Sequence, residues 1–477
     1  MRKFLISPFL SWIMFVKNKS ELLDLGRNDS EKEMLEHILN LIEFILDTAQ
    51  PQHIFSSSVC IENEKITIED DTFSLEEYER FYLIAFGKAS QNMAKWLIEH
   101  FPHNFERIVI VSPDILDEFF KTVTPLSYFQ GGHPKPNEQS VKAANEVIST
   151  LKQATNRDLC FFLISGGGSA LLEASNNAVS FSDYEKLVEL LLSSRASIQE
   201  INTLRKHLSK IKGGKLAQQT NAKIISFIIS DVIGNDVSSI ASGPTAPDET
   251  TWHDCKEILS KYSLISSVPE SILSLLSKAV DSEIPETPNN SYLFSHVHNY
   301  IIGDNTKLLN QVQDYLNSCG ESEPLNYHII GEAKEIGKEL AKQITLKVKD
   351  FMNKGLNKKT IISWVFGGET TVDLVNHEGK GGRNQELALS FALSILENES
   401  IYLLSLGTDG MDGNSDAAGA IIGPFTLDSN EKFEKAKKSL DANDSNRFFK
   451  ENGGELITGY TGTNLMDVGI IFCSFKR

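Results

Sequence analysis

The segment Leu163-Ile-Ser-Gly-Gly-Gly-Ser-Ala-Leu-Leu172 constrains this chain more than any other. An unbroken apolar run from Leu159 to Ile164 reads as a strand buried on both faces, and it breaks into three consecutive glycines. Ser169 follows, and Ala170, Leu171 and Leu172 read as the start of a packed helix. A strand that enters a helix through Gly-Gly-Gly-Ser leaves backbone N–H groups around a tight turn, an arrangement suited to a phosphate or carboxylate. Other apolar strands, at Phe81–Phe86, Arg107–Ser112 and Lys223–Ser230, alternate with helical stretches such as Ala89–His100. That alternation predicts an α/β protein with a Rossmann-like parallel sheet covered on both faces.

With 477 residues, the chain is long enough for two cores. Ser282–Ser291, with two prolines and two asparagines, is the natural linker. This predicts a segment 1–25, a first domain over 26–285 and a smaller α/β domain over 292–477, with strands at Tyr300–Gly303, Thr360–Phe366, Thr371–Val375, Ile401–Leu406 and Val468–Cys473. Residues 1–20 carry Arg2, Lys3, Lys17 and Lys19 and no acid around an apolar stretch interrupted by Pro8. That stretch is too short to span a bilayer and lacks a secretory cleavage site. Two readings stand level for it, a mitochondrial transit peptide and a frayed extension.

Forty-six basic against 64 acidic side chains give a net charge of −18, which excludes a nucleic-acid partner because a phosphate backbone would be repelled. Five cysteines without a CxxC pair point to a reducing compartment, the cytoplasm first and the mitochondrion second, and to no zinc site. An anionic ligand in so acidic a chain needs basic groups gathered locally. Lys88 stands after a glycine turn at the end of strand Phe81–Phe86, where the helix dipole disfavours a cation unless it serves a ligand. Residues 201–216 gather five cationic side chains and His207, with Arg205, Ser209 and Lys212 on one helical face and Gly213 and Gly214 ending the helix. His133 lies in the rigid loop Gly131-Gly-His-Pro-Lys-Pro136 and suits substrate contact or a structural place equally.

Asp231, at the end of a strand, is placed to hold Mg²⁺ or to act as a base, whereas Asp236 suits the capping of a turn. Glycine loops at 367–368 and 379–382 bracket a hairpin on this reading. Arg383 then either clamps a phosphoryl group or pairs with Glu369. The loop Gly407–Gly419 imitates a calcium loop, but counting from Asp412 the sixth position is Ala417 and the twelfth is Gly423, so Asp409 or Asp412 is left for substrate hydroxyls. Ser169 invites comparison with a hydrolase nucleophile served by His133 or His207, yet G-x-S-x-G fails at Leu171. A nucleotide-binding protein without turnover is a third reading.

The ordered set GKA at 87–89, GGHPKPNE at 131–138, ISGGGSALL at 164–172, NTLRKHLSKIKGGKLA at 202–217 and SDVIGNDVSSIASGPT at 230–245 resembles the MOFRL-type glycerate kinases. The set GGETTV at 367–372, GGRNQELAL at 381–389, GTDGMDGNSDAAGA at 407–420 and TGYTGTNLMD at 458–467 completes the resemblance. It implies an ATP- and Mg²⁺-dependent kinase of D-glycerate with a Rossmann-like N-terminal domain, a smaller C-terminal domain and the site in the cleft between them. On that basis Lys88 and Arg383 are expected catalytic residues, and Asp231, from its place at a strand's end, joins them and is also the expected metal ligand. Gly166, Gly167, Gly168, Ser169, Lys212 and Gly213 are expected at the nucleotide, and Arg205, His133, Glu369 and Asp409 at the substrate. The product expected is 2-phosphoglycerate, with 3-phosphoglycerate the alternative. The partners expected are nucleotide and D-glycerate, without nucleic acid or stable membrane association, and a homodimer is compatible. Departures from the family pattern fall at Lys135, Asn137, Asn235, Met411, Asn414 and Ser415; those at 137 and 235 remove carboxylates and leave Asp231 the firmer metal candidate.

Overall fold

The computed structural model describes residues 14–353, 360–376, 378–395 and 401–475. Two compact units emerge, one of residues 54–302 and one that joins residues up to 53 to residues from 303 onward. The boundaries expected at 285 and 292 differ from these. The proline-rich stretch stays within the first unit because Thr287 and Glu286 bond back to it. The Thr287 hydroxyl donates to Asp248 at 2.9 Å, and the Trp252 N–H donates to Glu286 at 3.0 Å.

The first unit is built on six strands in the spatial order Leu126–Gln130, Arg107–Ser112, Phe81–Phe86, Leu159–Ile164, Lys223–Ile229 and Val297–Gly303. The first five pair in parallel. Counted from Phe81–Phe86 in chain order this is 3-2-1-4-5-6, the doubly wound order, and the expected Rossmann-like α/β class is what the unit has. Phe81–Phe86 and Leu159–Ile164 are buried at every position, which explains their continuous apolar runs. Helices Ser90–His100 and Glu138–Gln153 cover the sheet, and the second is started by a capping box between Asn137 and Ser140. A layer of four helices, Phe181–Ser193, Ile198–Leu208, Trp252–Lys261 and Glu270–Val280, forms its own apolar cluster around Leu187, Leu204 and Leu259. The three short antiparallel strands Val59–Glu62, Lys65–Ile68 and Asp71–Ser74 had no clear signal, since half their positions face solvent.

The second unit carries a mixed sheet in the order Glu321–Glu332, Thr360–Thr371, Asp467–Phe475, Ile401–Gly407, Gly419–Ile422 and Glu455–Leu456. Only its first pairing is parallel. Thr371–Val375 does not form a separate strand; Thr360–Thr371 runs through, and a loop rather than a hairpin leads to the helix Arg383–Ser394. The helix Asp29–Thr48 belongs to this unit by contacts remote in sequence. The backbone N–H groups of Phe15 and Val16 donate to Glu43, and Asn18 donates to the Glu455 carbonyl and accepts from the Ile457 N–H. Within the segment 1–25, residues 1–13 lie outside the described residues, and residues 15–18 are tied into this unit. No helix of the described residues is long and apolar enough to cross a membrane.

Candidate functional site

In a doubly wound sheet the crevice for a ligand opens at the carboxyl ends of the two strands where the strand order reverses. Here those strands are Phe81–Phe86 and Leu159–Ile164, and the loops that leave them carry Lys88 and Gly166–Ser169. The sequence order and the strand order therefore bring these two motifs side by side. The Lys88 N–H donates to the Gly166 carbonyl at 2.8 Å, and the Ala89 N–H donates to the Ser165 hydroxyl at 3.0 Å. Gly167 adopts a left-handed φ of 81°. A Cβ there would lie 2.8 Å from Cδ2 of His133 and 3.4 Å from Cγ of Lys88, so the imidazole and the lysine stem flank this glycine. The backbone N–H groups of Gly166 and Gly167 meet no acceptor among the described residues. The helix expected after Ser169 is only the single turn Gly168–Leu171, so anion attraction at this loop rests on its N–H groups and Lys88 rather than on a long helix dipole.

Ser169 is half-buried, and its hydroxyl lies 2.7 Å from that of Ser242, which in turn donates to Oδ1 of Asn202 at 3.2 Å. Asn202 and Arg205 stand three residues apart on the helix Ile198–Leu208 and share a face. Arg205 is half-buried and has no hydrogen bond or ion pair among the described residues. Asp231 is half-buried just beyond the strand Lys223–Ile229, on the same carboxyl edge. Asp236 does cap a turn, accepting from the Ser238 N–H and from the hydroxyls of Ser238 and Ser239, and those bonds hold its carboxyl below the usual range against the opposing effect of burial.

Three expected contributors are committed elsewhere. Lys212 is turned into the core, where its ammonium meets Glu173 at 2.5 Å and the Leu172 carbonyl at 3.3 Å, and Tyr184 donates to the same carboxylate. Burial lowers the Lys212 pKa, and Glu173 opposes that shift. Gly213 has its N–H on the Ser242 carbonyl at 2.9 Å, so both this donor and the Lys212 ammonium are engaged within the protein. His207 is buried and bonded to the Thr203 carbonyl and Glu286 against the Trp252 ring; burial depresses its pKa and it is no base for Ser169. Sequence reasoning also passed over Lys215, whose ammonium caps the C-terminus of the helix Ile198–Leu208 through the carbonyls of Lys206, His207 and Ser209. Burial brings it down to about 8. A cation directly after two glycines that follow the helix was the available signal.

In the second unit Arg383 opens the helix Arg383–Ser394 and grips Asp467 through Nε at 2.6 Å and Nη2 at 3.0 Å. Its Nη1 reaches Glu369 at 2.7 Å, so the expected ion pair is present. Asp467, the first residue of the central strand Asp467–Phe475, was not singled out among the expected site residues. It lies opposite Gly368 and Gly407 in the sheet, which places it beside Glu369 and Asp409. Asp412 is fully buried and accepts the N–H groups of Asn384 and Gln385 at 2.9 Å each, capping that helix; burial nonetheless pushes its carboxyl up to about 7. It is a structural cap and not a hydroxyl ligand. Asp409 accepts the Met411 N–H at 3.1 Å.

Among the described residues no group of three or more His, Cys, Asp or Glu side chains is arranged to hold a metal. Mg²⁺ needs less, since it keeps several waters and takes one or two carboxylates beside nucleotide oxygens. Asp231 fits that sparse donor set.

Comparison with known proteins bears on the same motifs. The family model described as a domain of unknown function (DUF4147) matches residues 37–277, and that of the MOFRL family matches residues 362–467. A glycerate 2-kinase of Pyrococcus horikoshii is 35% identical over 444 residues, covering 92% of this chain and 97% of its own. A D-glycerate 2-kinase of Thermotoga maritima is 37% identical over 403 residues, covering 82% of this chain and 91% of its own. The crystal structure of a glycerate kinase from Thermotoga maritima superposes with a TM-score of 0.76 at 33% identity, over 93% of this chain and all of that one.

Proposed function

Since the chain belongs to the MOFRL-type glycerate kinase family, we propose that it transfers the terminal phosphoryl group of ATP to D-glycerate and that the product is 2-phosphoglycerate. One observation carries the reading: Lys88 and the triple-glycine loop leave adjacent parallel strands at the point where strand order reverses, with the Lys88 stem against Gly167. In this reading the N–H groups of Gly166 and Gly167 hold nucleotide phosphate oxygens, and the Lys88 ammonium meets the charge on the phosphoryl group in flight. Phosphoryl transfer needs positioning and positive charge more than covalent chemistry, and one such stabiliser contributes about 3 kcal/mol. Asp231 would hold Mg²⁺, which when bound neutralises phosphate charge. Arg205, half-buried with its N–H groups uncommitted, is assigned the glycerate carboxylate, and His133 a contact beside it.

Arg383, in the second unit, is the second cation this reading assigns to catalysis. Asp467 and Glu369 take three of its five N–H bonds and fix its plane, leaving two for an anion. Glu369 then acts by orienting it rather than by touching substrate, and Asp409 keeps its assignment to a substrate hydroxyl.

The test is ADP release by purified protein with MgATP, with and without D-glycerate. Glycerate-dependent release is expected, with Lys88→Ala lowering kcat about 100-fold at unchanged circular dichroism. Arg205→Ala should raise KM for glycerate tenfold or more and leave KM for ATP in place. Release that ignores glycerate, or a Lys88→Ala variant as active as the parent, would contradict the reading.

A further inference from the structure

We infer that Ser169 is a specificity residue for the acceptor: its hydroxyl oxygen accepts a hydrogen bond from a hydroxyl group of the acid substrate, and it does not donate to a nucleotide phosphate. The inference rests on the kinase reading above and refines which ligand this end of the glycine loop meets.

Proton bookkeeping carries the argument. A serine hydroxyl has one proton and two lone pairs, whereas an amide oxygen can only accept. Ser242 is fully buried and spends its proton on Oδ1 of Asn202 at 3.2 Å. At the 2.7 Å contact between the two serine oxygens Ser242 must therefore accept, and Ser169 must donate inward. What Ser169 offers on its other side is lone pairs alone. A phosphate oxygen is itself an acceptor and would be repelled there, but a hydroxyl group is a donor and is matched.

The backbone around Ser242 is built to hold this orientation. Ala241 and Ser242 sit at left-handed φ values of 50° and 60° without being glycine, and such strain gathers at ligand clamps. The N–H groups of Gly213 and Gly214 fasten the Ser242 and Gly243 carbonyls at 2.9 and 2.7 Å. Arg205, one helical turn beyond Asn202, adds an uncommitted cation to the same face. An oriented acceptor beside a cation matches a hydroxy acid, whose carboxylate and hydroxyl are close together.

Steady-state kinetics of the full chain with MgATP and D-glycerate provide the test, with D-lactate and 3-hydroxypropanoate as analogues that each lack one hydroxyl. Their affinities are read as competitive inhibition constants or, where they turn over, as KM. Ser169→Ala should cut the preference for glycerate over one analogue about tenfold, the loss expected for one neutral hydrogen bond, and that analogue identifies the hydroxyl. Ser169→Thr, which keeps the oxygen and its proton, should restore the preference. If Ser169→Ala lowers activity while both preferences stay at the parental values, Ser169 is a structural brace and the inference falls. If the same variant raises KM for ATP alone, Ser169 donates outward to the nucleotide and the inference is overturned. A parent protein with no glycerate-dependent turnover fails the kinase reading itself, a result distinct from either of these.

Discussion

Replacing Lys212 with methionine separates its buried-brace role from the nucleotide role its sequence suggests. Lys212 and Glu173 are each 1% exposed, and one Glu173 oxygen takes both the ammonium at 2.5 Å and the Tyr184 hydroxyl at 2.7 Å. The other oxygen, Oε1, is buried and meets no hydrogen-bond partner among the described residues. Methionine matches the length of the lysine stem but leaves a carboxylate in the core with one neutral donor. Removing one partner of a buried pair in this way costs roughly 3–5 kcal/mol, because the charge left behind has lost both water and its counter-charge. Hydrogen exchange of the strand Leu159–Ile164, read by mass spectrometry, reports the opening energy of this unit without requiring the whole chain to unfold in one step. Protection should fall by about that amount and recover most of the way in Lys212→Met with Glu173→Gln. Unchanged protection together with a raised KM for ATP would refute the reasoning and return Lys212 to the nucleotide.

Other predictions follow from the same contacts. Gly167→Ala adds a Cβ 2.8 Å from Cδ2 of His133 at a φ of 81°, so the loop must shift; kcat should drop tenfold or more, with the thermal midpoint lowered only slightly, and an active variant would argue against the loop's placement. Burial raises Glu386 and Asp412 to about 7 each, above their unfolded values, so both favour the folded state most below about pH 4 and lose that contribution as pH rises through about 7. The melting temperature of the second unit should therefore decline between pH 5 and 8, and Glu386→Gln should flatten the decline. A slope unaffected by that substitution would place the titration elsewhere.

What the sequence made legible was mostly local. Leu159–Ile164 and Phe81–Phe86 are buried on both faces, so their apolar runs and the glycines that end them identify the parallel sheet and its ligand-facing loops directly. The strand Glu321–Glu332 is different: it lies at a sheet edge with alternating exposed polar positions and bulges near Pro324, and its composition resembles a loop. The helix Asp29–Thr48 reads plainly as a helix, but its membership of the second unit depends on partners such as Phe472, whose ring meets that of His37 edge-on from over 400 positions away. Residues of the candidate site divide in the same way. Lys88 and Gly167 meet because strand order sets their loops side by side, whereas His133 reaches Gly167 from the loop that follows the edge strand Leu126–Gln130. Lys212 looked like its cationic neighbours, and only the burial of Glu173 beneath it explains why it turns inward. Asp467 was legible as the polar start of an apolar strand, but its grip on Arg383 depends on the register that sets it opposite Gly368 and Gly407.

Phosphorus NMR of the reaction mixture after incubation with MgATP and D-glycerate tests the central claim most directly. The account predicts a new phosphomonoester resonance matching 2-phosphoglycerate, in proportion to the ADP formed and absent with Lys88→Ala. A resonance matching 3-phosphoglycerate would overturn the regiochemistry alone, whereas no phosphoester from folded protein would contradict the assignment of glycerate as the acceptor.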